Sequence, residues 1–182
     1  MKKATLGLVL SEDWNKGKML LLGEKKKGEI GTGRLSGPGG KLDPYETIKG
    51  CLIRETREEL DLNLEPKSLE LVAYIVFHKG RTRFASLNRL LNIFNLGGIP
   101  DFGVYVYRAR LVQGQELKET KDMFLPKWYP LSDLPYEKMY DGDRYWLQSA
   151  ALGKRFRANV YYLNRAEKFS HIKFFPFNKG FD

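Results

Sequence analysis

The chain has a single cysteine, Cys51, and only two histidines in 182 residues. One thiol cannot close an internal disulfide, and two imidazoles without cysteine partners do not make the nitrogen and sulfur shell of a usual zinc site. Any metal must therefore be held by oxygen. Long apolar runs are missing as well. The first, from Ala4 to Leu10, is cut by Ser11, Glu12 and Asp13, which is too short for a signal-peptide core or a membrane span. These absences point to a cytoplasmic protein with no membrane partner. Internal repeats, low-complexity tracts and long blocks of like charge are also absent, which argues against solenoids and, away from the ends, against disorder.

What is present is globular. Hydrophobic residues make up 42% and aromatic residues 13% of the chain. Its length suits one domain with a real core rather than two, so a single domain is expected over 1–182. The formal net charge of +9 favours anionic partners such as nucleotides, polyphosphates or nucleic acid, although solubility alone is an equally good reason for it. The oligomeric state is left open.

Short apolar runs at 4–10 and 18–23, bounded by polar and glycine-containing turns, are expected strands. From Gly28 to Gly40 there are six glycines and one proline, so this stretch reads as a loop that brings backbone close to something. A helix is expected from Asp43 or Pro44 to about Leu60, with Ile48, Cys51 and Leu52 at helical spacing. Further strands are expected at about 69–78, 102–112, 128–131 and 156–162, a second helix from Asp143 to about Leu152, and a closing aromatic segment from Ile172 to Phe177. Between the two middle strands, residues 79–101 form an insert that begins with Lys79, Arg81 and Arg83. Its middle, through Leu87, Leu90, Leu91 and Phe94, suits a short amphipathic helix. Strands and helices do not alternate regularly enough for a doubly wound parallel sheet, so the expected class is α+β with a mixed sheet.

On the first helix, Glu55, Glu58 and Glu59 stand at i, i+3 and i+4 and project from one face. Alone, such a cluster is usually a solvated face, with Arg54 and Glu58 an ordinary i,i+4 ion pair. Directly before it, however, lies Gly37-Pro38-Gly39-Gly40, whose missing side chains let backbone amides and carbonyls approach a metal or phosphate. Hard divalent cations take oxygen ligands, and magnesium is commonly held by a few carboxylates while substrate phosphates complete its shell.

Gly40, Glu46, Arg54, Glu55, Glu58 and Glu59 fall at the spacing of the Nudix box, and the chain resembles that family. The resemblance implies an α/β/α sandwich around a mixed sheet. It also implies a magnesium-dependent hydrolase, with manganese the alternative ion, that cleaves a pyrophosphate linkage. The Gly40 carbonyl with Glu55, Glu58 and Glu59 would hold the metal, Arg54 would orient the glutamates, and Glu46 would be structural. The general base would be Glu55, Glu59 or a carboxylate of the later loop, among Glu116, Glu119 and Asp122. Two positions depart from the box: Asp61 replaces the glycine after the helix, and Thr56 stands at a commonly aliphatic position. Cys51, on the apolar helix face, is expected in the core and not as a nucleophile.

Beyond the box, Gly31-Thr32-Gly33-Arg34, Asp122-Met123, Trp128, Leu134-Pro135, Met139 and Tyr145-Trp146 resemble the MutT-like oxidised purine nucleoside triphosphatases of animals, over roughly residues 4–163. There the resemblance implies a purine pocket with Ser36 in place of an asparagine, Tyr140 in place of a stacking tryptophan, and Asp141-Gly142-Asp143 in place of a Pro-Asp-Asp run. Tyr140 can still stack on a base and Asp143 can still accept from one, although helix capping explains Asp143 as well. Gly39 and Lys26 are candidates for contact with phosphate oxygens, with a solvated turn the alternative for Lys25, Lys26 and Lys27. The expected substrate is a nucleoside triphosphate, with an RNA 5′ end as alternative given the charge, and a non-catalytic nucleotide-binding module as the remaining reading.

Overall fold

The computed structural model describes residues 1–13, 15, 17–26, 32–80, 99–163 and 168–177. The strands among them are β1 (Lys2–Asp13), β2 (Gly17–Lys25), β3 (Leu35–Ser36), β4 (Glu70–Lys79), β5 (Ile99–Ala109), β6 (Met123–Pro130), β7 (Phe156–Leu163) and β8 (Lys168–Phe175). The helices are α1 (Ile48–Leu60) and a short α2 (Leu147–Ala151). The strand order is β3-β2-β1-β5-β4-β7-β8, with β6 paired along β2 from Met19 with Pro130 to Lys25 with Met123. β1 runs parallel to β5, and β4 parallel to β7, while β4 and β5 are antiparallel. The sheet is therefore mixed, as expected of an α+β chain.

β1 joins the two halves of this sheet. Its first part pairs with β5, from Lys2 with Phe102 to Val9 with Ala109, and its last residues pair with β2, from Leu10 with Leu20 to Asp13 with Gly17. Successive side chains of a strand point to opposite faces, and the apolar residues divide accordingly into two cores. Leu8, Leu20, Leu22 and Val72 bury on one face with Trp146, Leu147 and Ala150, at the start of and along α2. Their neighbours Val9, Leu21 and Leu71 bury on the other with Leu52 and Leu60 of α1. Runs such as Leu20-Leu21-Leu22 are apolar throughout because both faces are covered, which is the sandwich arrangement.

α1 begins at Ile48, four residues later than the expected Pro44. Pro44 and Tyr45 form a turn in which Tyr45 has φ 67°, and Thr47 is the N-cap, its hydroxyl accepting from the Gly50 amide at 3.0 Å. At the other end Asp61 adopts the left-handed conformation, φ 55° and ψ 37°, its amide donating to the Arg57 carbonyl. Aspartate tolerates this geometry at a modest cost, so the departure from glycine leaves the helix exit intact. Thr56 is fully buried and donates its hydroxyl to the Leu52 carbonyl at 2.8 Å, which satisfies the polar atom where an aliphatic side chain would otherwise sit.

Other boundaries shift too. β6 starts at Met123 rather than Trp128, and β8 at Lys168 rather than Ile172. The expected second helix divides into a 3₁₀ turn at Asp143–Tyr145 and α2. Leu35–Ser36, expected in a loop, pair with β2. Lys79 and Ile99–Asp101, the ends of the expected insert, belong to β4 and β5. Its centre, with the expected amphipathic helix and with Arg81 and Arg83, lies outside the described residues. Among the described residues no helix is long and apolar enough to cross a membrane.

Candidate active site

The glycine loop lies along β1. The Gly7 amide donates to the Pro38 carbonyl at 2.7 Å, Thr5 to Gly40 at 2.8 Å, and Leu42 to Lys3 at 3.0 Å. This approach leaves no room for side chains. At Gly39 φ is 148°, and a Cβ there would stand 2.2 Å from the Thr5 carbonyl oxygen; one at Gly40 would stand 2.3 Å from Glu55 Oε1. These two glycines thus press the loop against β1 and against the first site glutamate.

α1 brings the carboxylates to that loop. Glu59 Oε2 accepts from the Gly39 amide at 3.0 Å. Glu59 Oε1 lies 2.8 Å from the Lys25 ammonium, and both side chains are nearly buried. Lys25 also donates to the Gly39 carbonyl, so loop, strand β2 and helix meet at one point. Burial is the main reason that the carboxyls of Glu55 and Glu59 titrate above the ordinary carboxylate range, against the lowering effect of Arg54 on Glu55 and of Lys25 on Glu59. Glu58 is more exposed, at 56% of its side chain.

Arg54 gathers the remaining acids. Its guanidinium donates to Glu46 through Nε at 2.9 Å and Nη2 at 3.1 Å, and through Nη1 at 3.0 Å to both Glu55 and Glu58. The fork to Glu46 holds that carboxyl below its usual range. Glu46 also accepts from the Asp43 amide at 3.3 Å. Glu46 thus anchors Arg54, and Arg54 orients Glu55 and Glu58. Cys51 is buried beside Thr5 and the Lys41 carbonyl, and burial pushes its thiol up to about 11, a poor nucleophile.

Of the two described lysines directly before the glycine loop, Lys25 is the one brought to the glutamates. Lys26 pairs instead with Glu119, donates to the Thr120 carbonyl at 2.7 Å, and lies over the Phe124 ring. The later loop is docked on the helix end, the Thr120 hydroxyl donating to the Glu59 carbonyl. This places the Asp122 carboxylate close enough to Glu59 to raise its pKa. Glu116 is exposed. Lys25 is the last residue of β2 and the first of the run Lys25-Lys26-Lys27, so its singular position depends on strand parity that the run itself conceals.

Among the described residues, no three acidic, histidine or cysteine side chains converge on a ready-made metal site; the glutamates are engaged instead by Arg54 and Lys25. The donors are nevertheless of the kind magnesium takes: hard carboxylate oxygens on one helix face, with the Gly40 carbonyl beside Glu55. An ion would draw Glu59 from Lys25 and Glu58 from Arg54.

Tyr140 and Asp143 belong to the opposite face of the sheet, whereas Ser36, next to Leu35 of that core, points to the α1 side. Ser36 is half-buried in β3 opposite Gly23. Tyr140 is half-buried, with the Arg34 guanidinium 5.0 Å above its ring and Arg34 Nη1 donating to the Met139 carbonyl at 2.6 Å. Asp143 is buried, and Oδ2 accepts from the Tyr140 amide at 3.3 Å; burial raises its carboxyl to about 7. Beside it lie the Trp146 indole and Tyr162, a β7 residue that sequence reasoning did not single out. The inward parity of Phe156, Ala158, Val160 and Tyr162 is the signal that finds it. An open cavity of about 650 Å³ adjoins Arg34, lined in part by Thr32, Phe124, Tyr129 and Lys138.

Residues 1–150 match the model of the NUDIX domain. The chain is 31% identical over 137 residues to the oxidized purine nucleoside triphosphate hydrolase of Mus musculus, covering 75% of this chain and 74% of that one. It is 28% identical to the protein of the same name from Danio rerio, with the same coverage. Among solved structures it resembles a MutT protein from Bacillus halodurans, with a TM-score of 0.67 at 15% identity over 96% of this chain and 97% of that one. At that identity the likeness speaks for the fold alone.

Proposed function

Because the chain belongs to the NUDIX family and is a pyrophosphohydrolase of that family, we propose that it cleaves a nucleoside triphosphate to the monophosphate and pyrophosphate, with magnesium. The observation that carries this reading is the junction at which the Gly39 amide, Lys25 and Glu59 meet within hydrogen-bond distance at the foot of the helix that bears Glu55 and Glu58. Glu55, Glu58, Glu59 and the Gly40 carbonyl would hold the metal, with manganese as an alternative ion. When bound, magnesium supplies charge neutralisation at the phosphoryl oxygens and a lowered pKa for attacking water.

The chain's own residues do the rest. Lys25, placed between Glu59 and the Gly39 carbonyl, would meet a phosphate oxygen, and the Gly39 amide faces the same point. Lys26, committed to Glu119 and Thr120, is a weaker candidate for that role. Glu59, buried and with its pKa raised, and Asp122 beside it are the candidates to accept a proton from water. Arg54 keeps Glu55 and Glu58 in place. On the opposite face Tyr140 stacks on the base and Asp143 binds its edge, while Ser36, on edge strand β3 directly before the glycine loop, is a candidate contact nearer the phosphates. The names of the mouse and zebrafish relatives favour an oxidised purine. The single buried cysteine suits the cytoplasm.

Product release from a panel with magnesium tests this: oxidised and normal purine triphosphates, a dinucleoside polyphosphate, a nucleotide sugar and 5′-triphosphate RNA. Pyrophosphate release selective for oxidised purine nucleotides supports the reading. Preference for RNA or for another diphosphate overturns the substrate while leaving the chemistry.

A further inference from the structure

The Tyr162 hydroxyl is buried with no acceptor for its proton, and the Trp146 indole N–H near it has only the Asp143 carboxyl to donate to. Their residues are 3% and 1% exposed. Buried polar groups are almost always satisfied, and an unsatisfied one in a folded protein calls for a water or a ligand. Both stand beside the Asp143 carboxyl, which feels Trp146 and is felt by Tyr162.

The Tyr162 hydroxyl is not a by-product of packing. The ring alone would satisfy its aromatic neighbours, stacked at 6.4 Å from Phe77 and edge-on at 6.3 Å to Tyr140 and 6.1 Å to Phe169. The oxygen has room because residue 142 is glycine: a Cβ there would lie 2.8 Å from it. Gly142 has φ −71°, so its backbone makes no demand for glycine, and the missing side chain is explained by the hydroxyl. The Gly142 amide approaches the phenol oxygen from the loop side, which leaves the phenol proton for the pocket.

We propose that Tyr162 is a specificity-determining residue: its hydroxyl, with the Trp146 N–H beside Asp143, selects a base that presents a carbonyl oxygen next to a ring N–H. This rests on the nucleotide reading given above. The phenol proton finds no acceptor in the protein, so the ligand edge must offer one, and the carboxylate beside it, held by the Trp146 N–H, wants a donor. The lactam edge of a 6-oxopurine carries both in adjacent positions. A 6-aminopurine reverses the order and sets an amino group against the phenol donor. Substrates that leave a site's polar groups unpaired are the ones it rejects most strongly.

The test compares wild type with Tyr162→Phe on 6-oxopurine triphosphates (dGTP, its 8-oxo form and dITP) and on dATP, with magnesium, alongside the melting temperature of the free proteins. The expected result is a loss of about three- to tenfold in kcat/KM for the 6-oxopurines, carried by KM. Turnover of dATP should change less than twofold, and the variant should melt no lower than wild type. Equal loss on both classes, no loss on either, or a lower melting temperature with uniform loss overturns the assignment. If wild type cleaves the triphosphates and the variant is unchanged, only the role of Tyr162 fails; if wild type cleaves none, the nucleotide reading itself falls and takes this assignment with it.

Discussion

At the scale of single residues, the site is defined by who holds whom. Lys25 sits 2.8 Å from Glu59, while Lys26 is committed to Glu119 and Thr120. Lys25→Met should therefore lower kcat/KM at least tenfold, and Lys26→Met should leave it within about threefold, since an exposed ion pair contributes little. Steady-state kinetics on one purine triphosphate decides between the two lysines, and equal effects would reject the assignment. On the other face, Asp143 titrates near 7 when folded against 3.8 as its ordinary value, because burial disfavours the charge. The folded chain thus keeps this proton to higher pH than the unfolded one. Its contribution to stability is complete below about 4 and declines as pH rises through 7. Asp143→Asn mimics the neutral carboxyl, so melting temperatures compared at pH 5 and pH 8 should show a flatter decline than in wild type. An equally steep decline would place the titration elsewhere.

At the scale of elements, α1 and the glycine loop form one working unit. A methyl group at Gly40 would meet Glu55 at 2.3 Å, so Gly40→Ala should reduce kcat by about 100-fold or more. The capping loss in Thr47→Ala, about 1 kcal/mol, should instead appear as a melting temperature lower by a few degrees with kcat near wild type. An active Gly40→Ala would show that the loop does not position the helix carboxylates. This unit was the most readable part of the sequence, because glycines and helix-spaced glutamates are local signals that survive without tertiary information. Boundaries were less readable where backbone chemistry competes with pattern. Thr47 rather than Pro44 starts the helix because Tyr45 turns left-handed, and Leu125 with φ 39° before Pro126 hides the first half of β6. Lys25 and Tyr162 could not be singled out by type, since each stands beside residues like itself, and only strand parity separates them.

At the scale of the molecule, one mixed sheet with two apolar faces puts the carboxylate helix on one side and the aromatic pocket on the other, joined by β2 and the glycine loop. On the proposed function, such a division would separate phosphate chemistry from base recognition, and the net charge of +9 would serve either a nucleotide or a longer polyanion. Salt tells these apart: turnover of a mononucleotide should change little between about 50 and 200 mM salt, whereas RNA bound through many phosphates would lose orders of magnitude in affinity. The central assignment is that Glu59 belongs to the hydrolytic centre, and its most direct test is magnesium-dependent pyrophosphate release by wild type and by Glu59→Gln. The glutamine can still accept from the Gly39 amide, so the variant should fold, with an unchanged circular dichroism spectrum, and lose at least 100-fold in kcat. A folded Glu59→Gln variant that turns over at the wild-type rate would contradict the assignment.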